Sequence, residues 1–426
     1  MPATLIRNIK QLVNTRKESK LLRGKELAEL PVIENAYLII ENGVIAEYGE
    51  MKNPKIPRPT GSSGRANSKF QNTIDASGQF VLPCWCDSHT HLVFAASREK
   101  EFVDKIKGMS YAEIAARGGG ILNSAKKLNE TSEDELFSAA WKRLAEVSRM
   151  GTGAIEIKSG YGLGVEGELK MLRVIKKLKE KSNLSIKATF LGAHTYPLEY
   201  KENHQGYIDL IINEMLPVIA KEKLADYIDV FCETGFFSPE ETKTICKAGM
   251  KYGLKPKIHA NQLNLSGGVE TGVKLQALSV DHLETMDDAA IKTFAESNTI
   301  GTLLPTAAFF LQMPFQPARK LIDAGCDIAL ASDYNHGSSP SGNMNLVVAM
   351  SCIAMKMLPE EAINAATING AYAMELENEV GSITVGKKAN LIFTKPIPSL
   401  AWLPYSFGTN LIDKVMIKGE YVPPSP

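Results

Sequence analysis

Apolar positions recur along this chain in two rhythms, and the change of rhythm divides it. Up to about residue 79 they fall in short extended runs: TLIRNIKQLV (4–13), NAYLIIENGVIAEYGE (35–50) and NTIDASGQF (72–80). Asn42-Gly43 interrupts the second run, and that dipeptide favours the two-residue hairpin turn whose central residues need positive φ. KNPKIPRPTGSSGRANSK (52–69) is rich in Pro, Gly, Ser and Lys and reads as a solvated loop. Near the other end, GSITVGKKANLIFTK (381–395) and DKVMIKGEYV (413–422) share the strand texture, each reading as a hairpin with Gly and Lys at its turn. Residues 1–79 and 380–426 are therefore expected to pair into one small β-sandwich domain.

Between them, over 80–379, strand and helix patterns alternate. The opening run FVLPCWCDSHTHL (80–92) is followed by a helix over SEDELFSAAWKRLAEVSRMG (132–151), with a capping box of Ser132 and Glu135 and a closing Gly151. Seven further strand patterns follow: GAIEIKSGY, SIKATFLGAHT, YIDVFCE, LKPKIHA, ALSVDHLE, NTIGTLLPT and DIALASD. Helical stretches separate them, including 166–181, 208–221, one opened by Ser238-Pro239-Glu240-Glu241, 269–276 and 287–297. Eight strand–helix units predict an α/β fold, a (β/α)8 TIM-type barrel with its chemistry at the C-terminal strand ends. The alternative is an open doubly wound sheet.

Composition narrows the class. Lys+Arg and Asp+Glu both number 48 and the net charge is zero, so no basic surface points to nucleic acid or to a membrane. No apolar run reaches spanning length, and MPATLIRNIKQLVNTRKESK lacks the apolar core and cleavage site of a signal peptide. A cytoplasmic location is the expectation. The 6 Cys are scattered and read as reduced core thiols, with Cys84-Trp85-Cys86 structural because it lacks the zinc-site spacing.

The candidate chemistry lies at the strand ends. Of 7 His, five end a strand pattern: His89, His91, His194, His259 and His282. His336 lies just beyond one, and His204 alone falls in an ordinary connection. Lys158, Tyr161, Glu233 and Asp333 occupy equivalent ends. In extended backbone an i, i+2 pair faces one side, so His89 and His91 form half of a metal site. His89, His91, His259 and Asp333 are the expected ligands of one divalent metal per chain. Three imidazoles and a carboxylate suit zinc or iron equally.

These residues carry a resemblance. DSHTH after the first strand, KIHA at the fifth, SVDHL at the sixth and SDYN at the eighth resemble the amidohydrolase superfamily. HTHLVFAASREKEF, RGGGI, KSGYGL, LGAHT, VFCE, HANQL, LLPT and SDYNHGS more narrowly resemble its imidazolonepropionase family, over about 80–385. The resemblance implies metal-dependent hydrolysis of 4-imidazolone-5-propanoate to N-formimidoyl-L-glutamate, a small substrate bearing a carboxylate. It implies Arg98 as the partner of that carboxylate, Tyr161 and His194 as substrate contacts, and Gln262, Asn335, Gly337 and Ser338 as substrate-binding groups that address the ring by hydrogen bonds. His282 and Asp333 become the candidates for moving the proton. Some family members carry Glu at the position of Gln262, and an amide cannot act as a base. His336 stands where Pro is expected, and it is left out of the site. Lys158 lies on the second strand, away from the place of a bridging carbamylated lysine, which favours one metal over two. Glu233 reads as a hydrogen-bonded carboxylate outside the ligand set.

Two other readings compete. Gly162, Gly164 and Gly167 spell the G-x-G-x-x-G of a dinucleotide site, but the next strand ends in Gly192-Ala193-His194-Thr195, with no acidic residue for a ribose. A related amidohydrolase, a deaminase or cyclic-amide hydrolase working on another ring, is the alternative enzyme. For assembly, a homodimer is the default expectation.

Overall fold

The computed structural model describes residues 3–52, 70–109 and 120–424. Most of the loop read over 52–69, and residues 117–119 of the RGGGI motif, lie outside them. Eight parallel strands stand side by side in chain order: β6 (Trp85–Asp87), β7 (Thr152–Lys158), β8 (Ser185–Ala193), β9 (Tyr227–Cys232), β10 (Lys255–Ala260), β11 (Ser279–His282), β12 (Ile300–Leu303) and β13 (Ile328–Leu330). The first and last meet just beyond their ends. Asp333 N–H donates to His89 O at 3.0 Å, and His91 N–H donates to Tyr334 O at 2.9 Å. Below them the Asp87 carboxylate accepts from Ser332 N–H (2.9 Å) and Oγ–H (2.6 Å). The barrel's closing seam therefore sets His89, His91 and Asp333 beside one another.

Strands from both chain ends form a second, mixed sheet: β1 (Thr4–Val13), β2 (Val32–Glu41), β3 (Val44–Glu50), β4 (Asn72–Asp75), β5 (Phe80–Pro83), β14 (Leu391–Thr394), β15 (Ile412–Ile417) and β16 (Glu420–Tyr421). Asn42 and Gly43 both have positive φ, as do Lys418 and Gly419, and each pair closes a hairpin. The opening run divides between the two sheets. Phe80–Pro83 pairs with β1 and β14, whereas Trp85 N–H already donates to Gly151 O at 2.9 Å, so only Trp85–Asp87 enters the barrel. The hairpin expected over 381–395 does not form. There, Lys387 is 3% exposed and its ammonium donates to Val380 O (2.9 Å) and Ser382 Oγ (2.7 Å), wrapping the segment around a buried charge. Only Leu391–Thr394 is left to pair.

Helices cover the outside of the barrel where the apolar periodicity placed them, as at Glu133–Arg149, Val165–Lys181 and Pro239–Met250. Both predicted capping boxes are present: Ser132 accepts from Glu135 N–H and Ser238 from Glu241 N–H, each at 3.3 Å. Leu, Ile and Val from these helices and from the strands fill one continuous core. All six cysteines are unpaired, and five are buried. Among the described residues no helix is long and apolar enough to cross a membrane.

Candidate active site

The strand ends bring the expected ligands together in two overlapping groups, His89 with His91 and Asp333, and His89 with His259 and His282, the ligand atoms of each lying within 4.8 Å of one another. His89 Nε2 and His91 Nε2 each lie 3.6 Å from Asp333 Oδ1, and His91 Nε2 lies 3.4 Å from His259 Nε2. All four residues are at most 3% exposed. Burial is the largest influence holding the pKa of His89, His91 and His259 well below the usual imidazole value. Lys158 and the neighbouring imidazoles add to it. The rings are thus neutral, the form that offers a lone pair to a metal. His89 Nε2 is buried with no hydrogen-bond partner while ligand-type atoms surround it, which fits the donor set to a divalent cation. Burial also pushes Asp333 up to about 6.

Carboxylates face the outer nitrogens. His89 Nδ1 is 2.7 Å from Asp281 Oδ2, and Asp229 Oδ2 lies 2.9 Å from His259 Nδ1 without hydrogen-bond geometry, while Asp229 Oδ1 accepts from the His259 backbone N–H at 3.1 Å; each ring turns Nε2 towards the common point. Lys158 Nζ ties these acids together, 2.8 Å from both Asp229 and Glu156 and 3.6 Å from Asp281. Lys257 Nζ adds a contact to Glu156 at 3.3 Å and one to Ser88 O at 3.0 Å. All five charged side chains are at most 1% exposed. Burial opposes the charge of Lys158, but Asp229, Glu156 and Asp281 outweigh it and raise the pKa. This ammonium is surrounded by carboxylates beneath the expected ligands.

His282 closes the group, its ring 5.1 Å from that of His259 and 5.6 Å from that of His89. Its Nδ1 lies 3.3 Å from Glu284 Oε1; burial would lower the pKa, but that carboxylate raises it. Glu284 is absent from the sequence expectations. Its signal is faint: it stands at i+2 from His282 where a strand ends.

A cavity of about 330 Å³ is lined by Phe94, Arg98, Ser124, Lys127, Tyr161 and His336 among others, and Tyr161 links it to the ligand cluster, its ring 5.7 Å from that of His91. Arg98 lines it, and its fork is paired with Glu101, Nε to Oε2 at 2.8 Å. Arg98 Nη1 stands where a Cβ on Gly337 would come within 2.6 Å, so the missing side chain makes its room. Tyr161 is buried, and its ring is 5.5 Å from that of His194. His194 stacks on His91 at 5.4 Å, contacts Gly160 O through Nδ1 at 3.0 Å, and is held at about 4 by burial.

Gln262 is buried on the loop after β10, three residues past His259. Glu233 organises that loop, its carboxylate accepting from the N–H groups of Thr234 (2.8 Å), Leu263 (2.8 Å) and Asn264 (3.3 Å). Asn335, Gly337 and Ser338 hydrogen-bond one another and Asp333, and Asn335 N–H donates to Ser339 O at 2.9 Å. Asn335 Oδ1 accepts from the N–H of Gly337 and of Ser338, both at 2.7 Å, and Ser338 Oγ–H donates to Asp333 Oδ2 at 3.1 Å. The turn holds Asp333 at φ 52°, a left-handed conformation costly for a residue with a side chain. His336, left out of the expected site, is buried, 4.6 Å edge-on from the Tyr161 ring, with Nε2 2.8 Å from Ser124 Oγ.

The glycine loop is filled from within. Glu168 accepts from the N–H of Gly160 (3.0 Å), Gly162 (2.7 Å) and Leu163 (3.1 Å), so a carboxylate occupies the amides a pyrophosphate would need.

A barrel that gathers H-x-H after its first strand, His at the fifth and sixth, and Asp after the eighth defines an amidohydrolase, and the amidohydrolase family matches residues 80–422. The fold is similar to that of E. coli guanine deaminase, with a TM-score of 0.72 over the whole of both chains at 14% identity. It is similar also to a zinc-bound adenosine deaminase of Xanthomonas campestris (TM-score 0.69, 98% of this chain and 92% of that one, 16% identity). In sequence the chain is 60% identical to an imidazolonepropionase of Flavobacterium johnsoniae, over 98% of this chain and all of that protein. It is 56% identical to one of Christiangramia forsetii, over 98% and 99%. The chain belongs to the imidazolonepropionases within the amidohydrolase family.

Proposed function

We propose that the chain hydrolyses the cyclic amide of 4-imidazolone-5-propanoate to N-formimidoyl-L-glutamate, with one zinc or iron ion held by His89, His91, His259 and Asp333. The observation that carries this reading is the convergence of four buried ligand residues beside a cavity lined by Arg98. Such an ion, when bound, polarises a carbonyl and lowers the pKa of a water from about 15.7 to about 7. Arg98 takes the substrate's carboxylate in a two-point contact, exchanging it for Glu101. Tyr161 and His194 flank the ring, and Gln262 orients it by hydrogen bonds. Because Gln262 cannot ionise, His282 and Asp333 carry the proton from the attacking water to the leaving nitrogen. Asn335, Gly337 and Ser338 address the ring by hydrogen bonds, and the same turn holds Asp333 and leaves room for Arg98.

The test is turnover of imidazolonepropionate by the purified chain, together with elemental analysis. About one metal per chain is expected, with His259→Ala losing metal and activity together. His282→Ala should keep the metal and lose roughly two to four orders of magnitude in kcat. Release of ammonia from another ring, with no turnover of imidazolonepropionate, overturns the substrate; two ions per chain overturn the single-metal site. A dead Gln262→Ala beside an active His282→Ala overturns the proton route.

A further inference from the structure

We infer that Glu284 is a positioning residue for this reaction, whose buried carboxylate fixes the tautomer of His282 so that Nε2 is the bare, proton-accepting nitrogen. The inference rests on the role proposed above for His282. Three imidazoles at the site have a carboxylate on Nδ1: His89 has Asp281, His259 has Asp229, and His282 has Glu284. For the first two the pairing serves ligands. A ligand atom of His282 also lies within 4.8 Å of those of His89 and His259, but the proposed ion already has four ligands without it, which leaves the carboxylate of His282 for another use.

The local backbone is built to make this contact. His282 and Leu283 have φ of 90° and 66°, conformations that residues with side chains adopt only where the surroundings enforce them. Leu283 N–H donates to Ala260 O at 3.2 Å and Thr285 N–H to Asn261 O at 2.9 Å, which pins the kinked segment to the end of β10. The kink brings Glu284 Oε1 to 3.3 Å from His282 Nδ1. Gln316 Nε2 donates to the same oxygen at 2.9 Å from the far side, and Gln316 is only 1% exposed. A carboxylate only accepts, so His282 Nδ1 must carry the hydrogen, and a neutral ring then has its lone pair on Nε2. With an amide at position 262, this nitrogen is the neutral base the site requires.

The test compares E284Q and H282A in the metal-loaded enzyme, with kcat, KM and metal content measured for each. The glutamine side chain can present its NH2 to Nδ1 and so stabilise the other tautomer. E284Q is expected to lose at least tenfold in kcat, with KM and metal content within about twofold of the parent, a split that loose packing alone would not produce. A long-range 1H–15N spectrum of the parent, assigned by the signal lost in H282A, should show the hydrogen on Nδ1; it decides the matter even if E284Q does not fold. A hydrogen on Nε2, or an E284Q kcat within twofold of the parent beside an inactive H282A, overturns the inference and leaves the role of His282 standing. Full activity of H282A overturns both.

Discussion

Lys158→Met removes the ammonium that joins Asp229 and Glu156 beneath the site, and it tests whether burial decides what an ion pair contributes. At 2.8 Å and an effective dielectric of about 20, each contact is worth about 6 kcal/mol of Coulomb attraction. Desolvating each ion costs several kcal/mol, so the intact network adds little net stability. Removing one partner is different, because the acids stay buried and lose their counter-ion; the expected loss is about 3–5 kcal/mol. That is a large part of the roughly 5–15 kcal/mol that holds a folded domain together. Arg173–Glu222 is the internal control: at 2.7 Å its contact is just as short, but both side chains are about a third exposed. Arg173→Met should therefore cost at most about 1 kcal/mol. Urea unfolding of metal-stripped protein is the assay, since bound metal would add its own stabilisation by mass action. Adding Glu156→Gln to Lys158→Met should recover part of the loss, because the pair then removes one charge of each sign. A Lys158→Met protein as stable as Arg173→Met would refute the reasoning.

Arg98→Ala should cost about 2–4 kcal/mol in kcat/KM, roughly 30- to 1000-fold, and Arg98→Lys should restore only part because the fork is lost; steady-state kinetics with metal content checked decide it. Gly337→Ala places a Cβ within 2.6 Å of Arg98 Nη1, so KM should rise several-fold while metal content and fold are unchanged, and an unaltered KM would count against Arg98 as the carboxylate's partner. Stripping the metal with a chelator should abolish turnover and, at a free zinc concentration about 100 times its Kd, the difference in unfolding free energy between loaded and stripped protein should be about 2.7 kcal/mol by denaturant titration.

The sequence by itself determined the eight strand–helix units, because a parallel strand buried on both faces and a helix buried on one leave different apolar periods. It placed His89, His91, His259, His282 and Asp333 at strand ends, and in a barrel that is already a statement that they share a mouth. The Asn42-Gly43 turn and the Ser132 and Ser238 caps were legible too, since each is settled by residues three or four positions apart. Other features needed the tertiary structure. Phe80–Pro83 and Trp85–Asp87 read as one apolar run, and only the competition between Asn390 O and Gly151 O for successive N–H groups divides them between two sheets. Lys257, Asp229 and Asp281 look like ordinary strand charges in the sequence, and Lys158 is legible there only as a lysine at a strand end. Their burial beneath the ligands follows from inward-facing positions on neighbouring strands, far apart along the chain. Glu284 escaped for the same reason, as did the burial of His336 against Tyr161 and Ser124. Periodicity reports which face a residue occupies, whereas the partner it meets there depends on how distant segments pack, and for a buried charge the partner decides both its protonation and its work.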